Sequence, residues 1–216
     1  MSQIDTVIFD LDGTLTRVPS PWRHIHERLG LWEGLAQNFF DEWHSGRIGY
    51  EEFCRRDVAL WNGRDLDELE GLLSEIEVNP HVGSLAGRLE ASGVTALIVS
   101  TGFRVVAERI REQFEWNSVR VYANELVTGP DIRINVSADP ESPISKKQLA
   151  ESLMERGDAD PNRTLVVSDS PADLEMMAVC RHQLLVSCDD DLREVHTILD
   201  TALQTQPLVP EARTGV

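Results

Sequence analysis

Two aspartates one residue apart, Asp10 and Asp12, close the apolar run Ile4 to Phe9 and are followed at once by Gly13-Thr14. A strand buried in a parallel sheet delivers its last residues to the carboxyl edge, where open α/β sheets take their ligands. A turn at Gly13 brings backbone N–H groups to the same point. Paired acids placed there suit metal-assisted phosphoryl transfer. One carboxylate attacks phosphorus and becomes an acyl phosphate, while the other protonates the leaving oxygen and later takes a proton from water. A bare Asp-x-Asp more often opens a turn or caps a helix; the strand before this pair and the Gly-Thr after it reverse that balance.

Three more segments carry compatible chemistry. Ser100-Thr101-Gly102 ends a second apolar run just ahead of a helix, where a hydroxyl and free amides suit an anion, although an ordinary N-cap reads the same way. Lys146 lies three residues before Leu149 and seven before Leu153, on the apolar stripe of its helix, whereas Lys147 falls on the flank. A cation on a core-facing stripe needs a partner, and a phosphate beside clustered aspartates would supply one. The segment Thr164 to Met177 sends a buried strand into Asp169 and opens the next helix with Asp173. With Asp10 these acids form an oxygen-rich pocket suited to Mg²⁺, a hard cation that takes one or two carboxylates, waters and substrate phosphate.

The elements that must position these residues alternate from Pro80 onward, which implies βαβ units and a parallel sheet. The pattern predicts helix 81–92, strand 94–100, helix 103–114, a short strand 119–122, and a hairpin 125–136 turning at Gly129-Pro130. It continues with helix 145–156, strand 164–168, helix 172–180, strand 183–187 and a last helix 192–203. Between Asp12 and Pro80 the signals are helical: Pro21 with Ile25 and Leu29, then Leu35, Phe39 and Trp43 at the same spacing, then Leu66, Leu69, Leu72 and Leu73 on one face. The expected division is a core of residues 1–15 and 80–216 and a small helical cap of residues 16–79, able to cover the strand ends and exclude water. The segment from Thr205 to Val216 lacks periodicity and is expected to be poorly ordered.

Composition narrows the partners. A net charge of −17 argues against nucleic acid, whose phosphates bind basic surfaces. The longest apolar runs fall far short of a membrane span, and no export or anchoring signal is visible at the N-terminus. Cys54, Cys180 and Cys188 lack the paired spacing of a zinc site and read as reduced cytosolic thiols. The expectation is a cytoplasmic protein, monomer or homodimer, acting on a small-molecule phosphate ester.

Asp10-Leu-Asp-Gly-Thr-Leu-Thr16, Ser100-Thr-Gly102, Lys146 and Asp169 with Asp173, in this order, resemble the haloacid dehalogenase superfamily, and within it the phosphoserine phosphatase-like branch. The resemblance implies a doubly wound, Rossmann-like α/β core with a helical cap inserted after the first strand. It implies Asp10 as nucleophile, Asp12 as general acid and base, and Ser100 and Lys146 as phosphate ligands, with Gly13, Thr101 and Gly102 lining the cradle. Mg²⁺ would be held by Asp10, the carbonyl of Asp12 and Asp169, with Asp173 as a ligand or just behind one. A phosphotransferase would use the same residues, and a phospho-accepting signalling module shares an acidic Mg²⁺ site, a phosphorylated Asp and a Lys.

Two departures stand out. The fourth motif of phosphoserine phosphatases usually reads Gly-Asp-Gly-x-Asn-Asp, and here it is Ser168-Asp-Ser-Pro-Ala-Asp173. Relatives acting on phosphoserine carry a Glu soon after the first motif, where this chain has Thr16-Arg-Val-Pro-Ser20. Substrate contacts are therefore expected from the cap, with Arg55 or Arg56 as a carboxylate clamp, Arg17 and Arg23 as further candidates, and Trp22, Trp43 and Trp61 as walls.

Overall fold

Four consecutive buried residues make β1 (Thr6–Phe9), the strand that ends at the aspartate pair. In the computed structural model, which describes residues 4–127, 132–135 and 146–204, β1 lies at the centre of the sheet. It pairs in parallel with β2 (Thr95–Phe103) on one side and β5 (Thr164–Ser168) on the other, so that Phe9 faces Ile98 and Val167. With β3 (Arg120–Val127), β4 (Arg133–Asn135) and β6 (His182–Leu185), the strand order is β4-β3-β2-β1-β5-β6, five strands parallel and the edge strand β4 antiparallel.

Side chains alternate across a strand, and both faces of this sheet are covered. Val7 and Phe9 pack with Leu85, Leu89, Ile110 and Leu192 on one face. Ile8, Leu97, Val99 and Val166 pack with Ala150, Leu153, Met176 and Met177 on the other. These partners come from α5 (Val82–Ser92), α6 (Arg104–Gln113), α7 (Lys146–Glu155), the short α8 (Leu174–Met177), and the turn leading into α9 (Glu194–Gln204). The doubly wound parallel sheet expected from the alternating pattern is the fold observed.

Between β1 and α5 lie four short helices, α1 (Pro21–Arg28), α2 (Gln37–His44), α3 (Tyr50–Ala59) and α4 (Leu66–Ser74). The chain enters and leaves them through paired backbones: Thr16 bridges Val78, Arg17 N–H donates to Glu77 O at 2.9 Å, and Asn79 N–H donates to Leu15 O at 2.9 Å. Trp22, Phe53, Trp61, Leu69 and Leu73 fill the interior, and Trp22 reaches Phe103 of β2 at a ring distance of 4.7 Å.

Several expected elements differ in detail. Leu35 does not begin an apolar stripe with Phe39 and Trp43; it is 58% exposed, because Glu33 and Gly34 leave the helical region and Gly34 turns at φ 106°. The helix predicted over 172–180 shortens to α8 behind a 3₁₀ turn at Pro171–Asp173, where Ser170 Oγ accepts the Ala172 N–H. β2 and β3 run three and five residues past their predicted ends at Ser100 and Tyr122, and β6 starts one residue early. The hairpin tip at Gly129-Pro130, Ser145 and the segment 205–216 lie outside the described residues.

Candidate active site

Asp10 follows β1 directly, with its N–H bonded to Val167 O at 2.9 Å, and it is 3% exposed. Lys146, the first described residue of α7, reaches it across the sheet edge, its Nζ donating to Asp10 Oδ1 at 2.6 Å and to Asp173 Oδ2 at 2.8 Å. Ser168 Oγ donates to the same Asp173 Oδ2 at 2.7 Å, so a serine standing where the resemblance predicts glycine fixes the second acid on the lysine. Asp169 is held by Thr14, whose Oγ1 donates to Asp169 Oδ1 at 3.1 Å and accepts the Asp169 N–H at 2.9 Å.

Asp12 is oriented from one side. Gly102 N–H donates to Ser100 Oγ at 2.7 Å, so the hydroxyl proton of Ser100 is left to donate to Asp12 Oδ2, also at 2.7 Å. Asp12 Oδ1 is buried and has no hydrogen-bond partner among the described residues. Two glycines make the close approaches possible. A Cβ at Gly102 would overlap the Asp12 carboxylate, and one at Gly13, which turns at φ 86°, would overlap that of Asp169.

These acids repel one another. Burial pushes the Asp12 carboxyl up to about 6, with Ser100 and Lys146 pulling back and Asp169 and Asp173 adding to the rise. Burial likewise raises Asp10, opposed by Lys146 and reinforced by Asp173 and Asp12. Burial alone would lower Lys146, but the carboxylates of Asp10 and Asp173 outweigh it and the net shift is upward. An acid raised in the folded state binds more protons than the unfolded chain between the two pKa values, so stability falls as pH rises through that window. In chelator, Asp12→Asn is therefore expected to melt at the same temperature as the parent near about pH 4, and a few degrees above it at about pH 7. Equal melting temperatures at both pH values would contradict the raised pKa.

The cap residues expected to read substrate are engaged by protein partners. Trp22 is not a wall of an open site; it is 6% exposed, lies between Phe53, Trp61 and Phe103, and donates its Nε1–H to Thr101 O at 3.1 Å. Trp61 is fully buried and donates to His26 Nδ1, while Trp43 stacks on Phe53. Arg55 is paired with Glu52, and Arg56 with Glu52 and Glu42. Arg17 joins Glu77 and Asp189, and Arg23 joins Glu27. Among the described residues none of these guanidiniums bonds to Asp10, Asp12 or Asp169. Thr14, Ser168, Tyr50 and Asn124 join the site unannounced by the sequence: the first two sit inside recognised motifs, whereas nothing marks Tyr50 or Asn124.

The donor set around Asp10 is all oxygen and hard, which suits Mg²⁺. Among the described residues no three carboxylate, imidazole or thiol side chains converge tightly enough to cage an ion alone. A Mg²⁺ site does not need that, since water and phosphate complete its shell. The Asp169 carboxylate against Gly13 places an acid beside the main chain that follows Asp12. The oxygen chemistry of these residues is compatible with the ion.

Five parallel strands deliver acids to the carboxyl edge of the sheet, with a lysine bonded to two of them, an α/β arrangement open to more than one chemistry. The family model for haloacid dehalogenase-like hydrolases matches residues 7–178, and the chain belongs to that family. It is 26% identical over 180 residues to a probable phosphoserine phosphatase of Schizosaccharomyces pombe, covering 80% of this chain and 57% of that protein. It is 29% identical over 170 residues to a phosphoserine phosphatase of Idiomarina loihiensis, covering 77% and 74%. The chain thus spans little more than half the length of the first of these relatives. Among solved structures, a substrate-bound phosphoserine phosphatase superposes with a TM-score of 0.68 at 18% identity, covering 93% of this chain and 99% of that one. A hydrolase of the same family from Salmonella enterica serovar Typhi gives 0.68 at 15% identity over 83% and 61%. Likeness at these identities carries the fold. Among the described residues no helix is long and apolar enough to cross a membrane.

Proposed function

We propose that the chain is a Mg²⁺-dependent phosphomonoesterase that works through an aspartyl phosphate on Asp10 and acts on a small cytoplasmic phosphate ester. The observation that carries this reading is the division of labour between the two oxygens of Asp12. Oδ2 is committed to the Ser100 hydroxyl, and Oδ1 is buried with no partner among the described residues, so Oδ1 is the oxygen assigned to move a proton. Its raised pKa leaves it partly protonated near neutrality, as a general acid requires.

In the first step the Asp10 oxygen not held by Lys146 forms a bond to phosphorus as the phosphorus–ester oxygen bond breaks. Asp12 Oδ1 gives its proton to the departing alkoxide. In the second step Asp12 Oδ1 takes a proton from water as that water attacks phosphorus, the bond to Asp10 breaks and phosphate is released. Lys146 fixes the orientation of Asp10 and offsets its charge against the incoming phosphate. Bound Mg²⁺ would neutralise charge on the phosphoryl oxygens. Residues 16–79 act as a cap that keeps bulk water from the acyl phosphate.

Phosphoserine is the first substrate to test, because the curated relatives are phosphoserine phosphatases. Thr16 to Ser20 offers no acid for an amino group, and Arg55 and Arg56 are paired with glutamates, which favours a phosphate ester outside the amino acids. The test is phosphate release, with and without Mg²⁺, from phosphoserine, phosphothreonine, sugar and glycerol phosphates, nucleotides and an aryl phosphate. Mg²⁺-dependent release is expected from at least one of these. Unchanged release in chelator would overturn the metal assignment, and no release from any ester would overturn the phosphatase reading.

A further inference from the structure

Three donors converge on one backbone oxygen. Trp22 Nε1–H, Tyr50 O–H and Asn124 Nδ2–H all point at the carbonyl of Thr101, at 3.1, 2.8 and 2.6 Å. Asn124 also donates to Tyr50 Oη at 2.7 Å, which leaves the phenolic proton to Thr101. Trp22 and Tyr50 come from the helical block, on α1 and α3, while Asn124 is a buried residue of β3 in the sheet.

The other end of the same peptide group is the N–H of Gly102, which donates to Ser100 Oγ, which in turn donates to Asp12. A trans peptide is planar, with its C=O and N–H pointing in opposite directions, so fixing one end fixes the other. Donors at the carbonyl also polarise the amide and strengthen what its N–H gives. We propose that Tyr50 and Asn124 are positioning residues that act through the Thr101–Gly102 peptide and Ser100 to aim Asp12. Seating the helical block on the sheet is thereby coupled to orienting the proton-transferring acid. If the block swings away, Thr101 O keeps Asn124 alone and the peptide gains freedom to rotate. Ser100 then loses the donor that directs its hydroxyl at Asp12.

The inference rests on the phosphatase reading, with Asp12 as the group that protonates the leaving oxygen. That step matters for an alkyl phosphate, whose alkoxide is a poor leaving group, and little for an aryl phosphate, whose phenolate leaves unaided. The test compares kcat/KM for an alkyl phosphate that the unsubstituted chain hydrolyses and for an aryl phosphate in Tyr50→Phe and Asn124→Leu. Tyr50→Phe keeps the ring that packs on Trp43 and Phe53, so it carries the test alone if the asparagine variant fails to fold. The expected result is a fall of about tenfold for the alkyl ester and less than about threefold for the aryl ester. In an Asp12→Asn background Tyr50→Phe should cause no further change. Equal losses on the two esters, or no loss, would overturn the inference while leaving the phosphatase reading intact; an unsubstituted chain that releases phosphate from no ester of the panel above would overturn the two together.

Discussion

Asp10→Asn is expected to lower turnover by at least about a thousandfold while the protein stays as stable as its parent, or becomes more so. The amide keeps the shape of the carboxylate but cannot attack phosphorus, so no acyl phosphate forms. Stability should survive because the site holds more negative charge than it balances. Asp10, Asp12, Asp169 and Asp173 act on one another with Lys146 as the cation bonded among them. Removing one charge relieves repulsion and burial cost, and Lys146 keeps its bond to Asp173. Phosphate release and thermal unfolding in chelator check both halves. Retained activity in Asp10→Asn would end the covalent mechanism, and a large drop in melting temperature would mean that the charge of Asp10 holds the site together.

Lys146→Met should damage both activity and folding. Its side chain is 14% exposed and bonds two carboxylates that are 4% and 6% exposed, so methionine leaves two buried acids without their cation. Breaking a buried pair from one side costs about 3–5 kcal/mol. The acids can escape that cost only by taking up protons, so the destabilisation should be smaller at about pH 5 than at about pH 8. Uptake of a proton by Asp10 also removes the nucleophile, and turnover should fall by about a thousandfold even at saturating ester. Urea unfolding at the two pH values, with phosphate release alongside, reads the result. A loss of stability independent of pH would show that packing of the lysine stem matters more than its charge.

The order of strands and helices was legible in the chain because a parallel sheet buries both faces, and its strands therefore read as short apolar runs cut off by polar turns. Val7-Ile-Phe9, Ala96 to Val99 and Leu165-Val-Val167 are such runs, and all are buried. Their ends announced Asp10, Ser100 and Asp169, since the carboxyl edge is a property of strand direction and needs no tertiary knowledge. Lys146 over Lys147 was legible from helical spacing against Leu149 and Leu153, and it is Lys146 that bonds Asp10.

The helical block resisted reading because spacing says which residues share a face and not what that face meets. Trp22, Arg55 and Arg56 had side chains suited to holding a substrate, yet Trp22 is packed among aromatics and the arginines are paired with glutamates of their own helix or of α2. The break at Gly34 that exposes Leu35 was hidden because a single glycine inside a periodic stretch weakens a helix without forbidding it.

By itself the sequence determined the parallel sheet, its carboxyl edge and the acids and lysine delivered there, because all of these follow from local periodicity and strand direction. Only the tertiary structure decided how those groups are aimed. Which oxygen of Asp12 is left free, which hydroxyl holds Asp173, and that a tyrosine and an asparagine 74 residues apart meet on one carbonyl depend on contacts between distant segments. Hydrogen bonds of that kind are set by distance and angle after the chain has packed, and residue type and spacing carry no record of them.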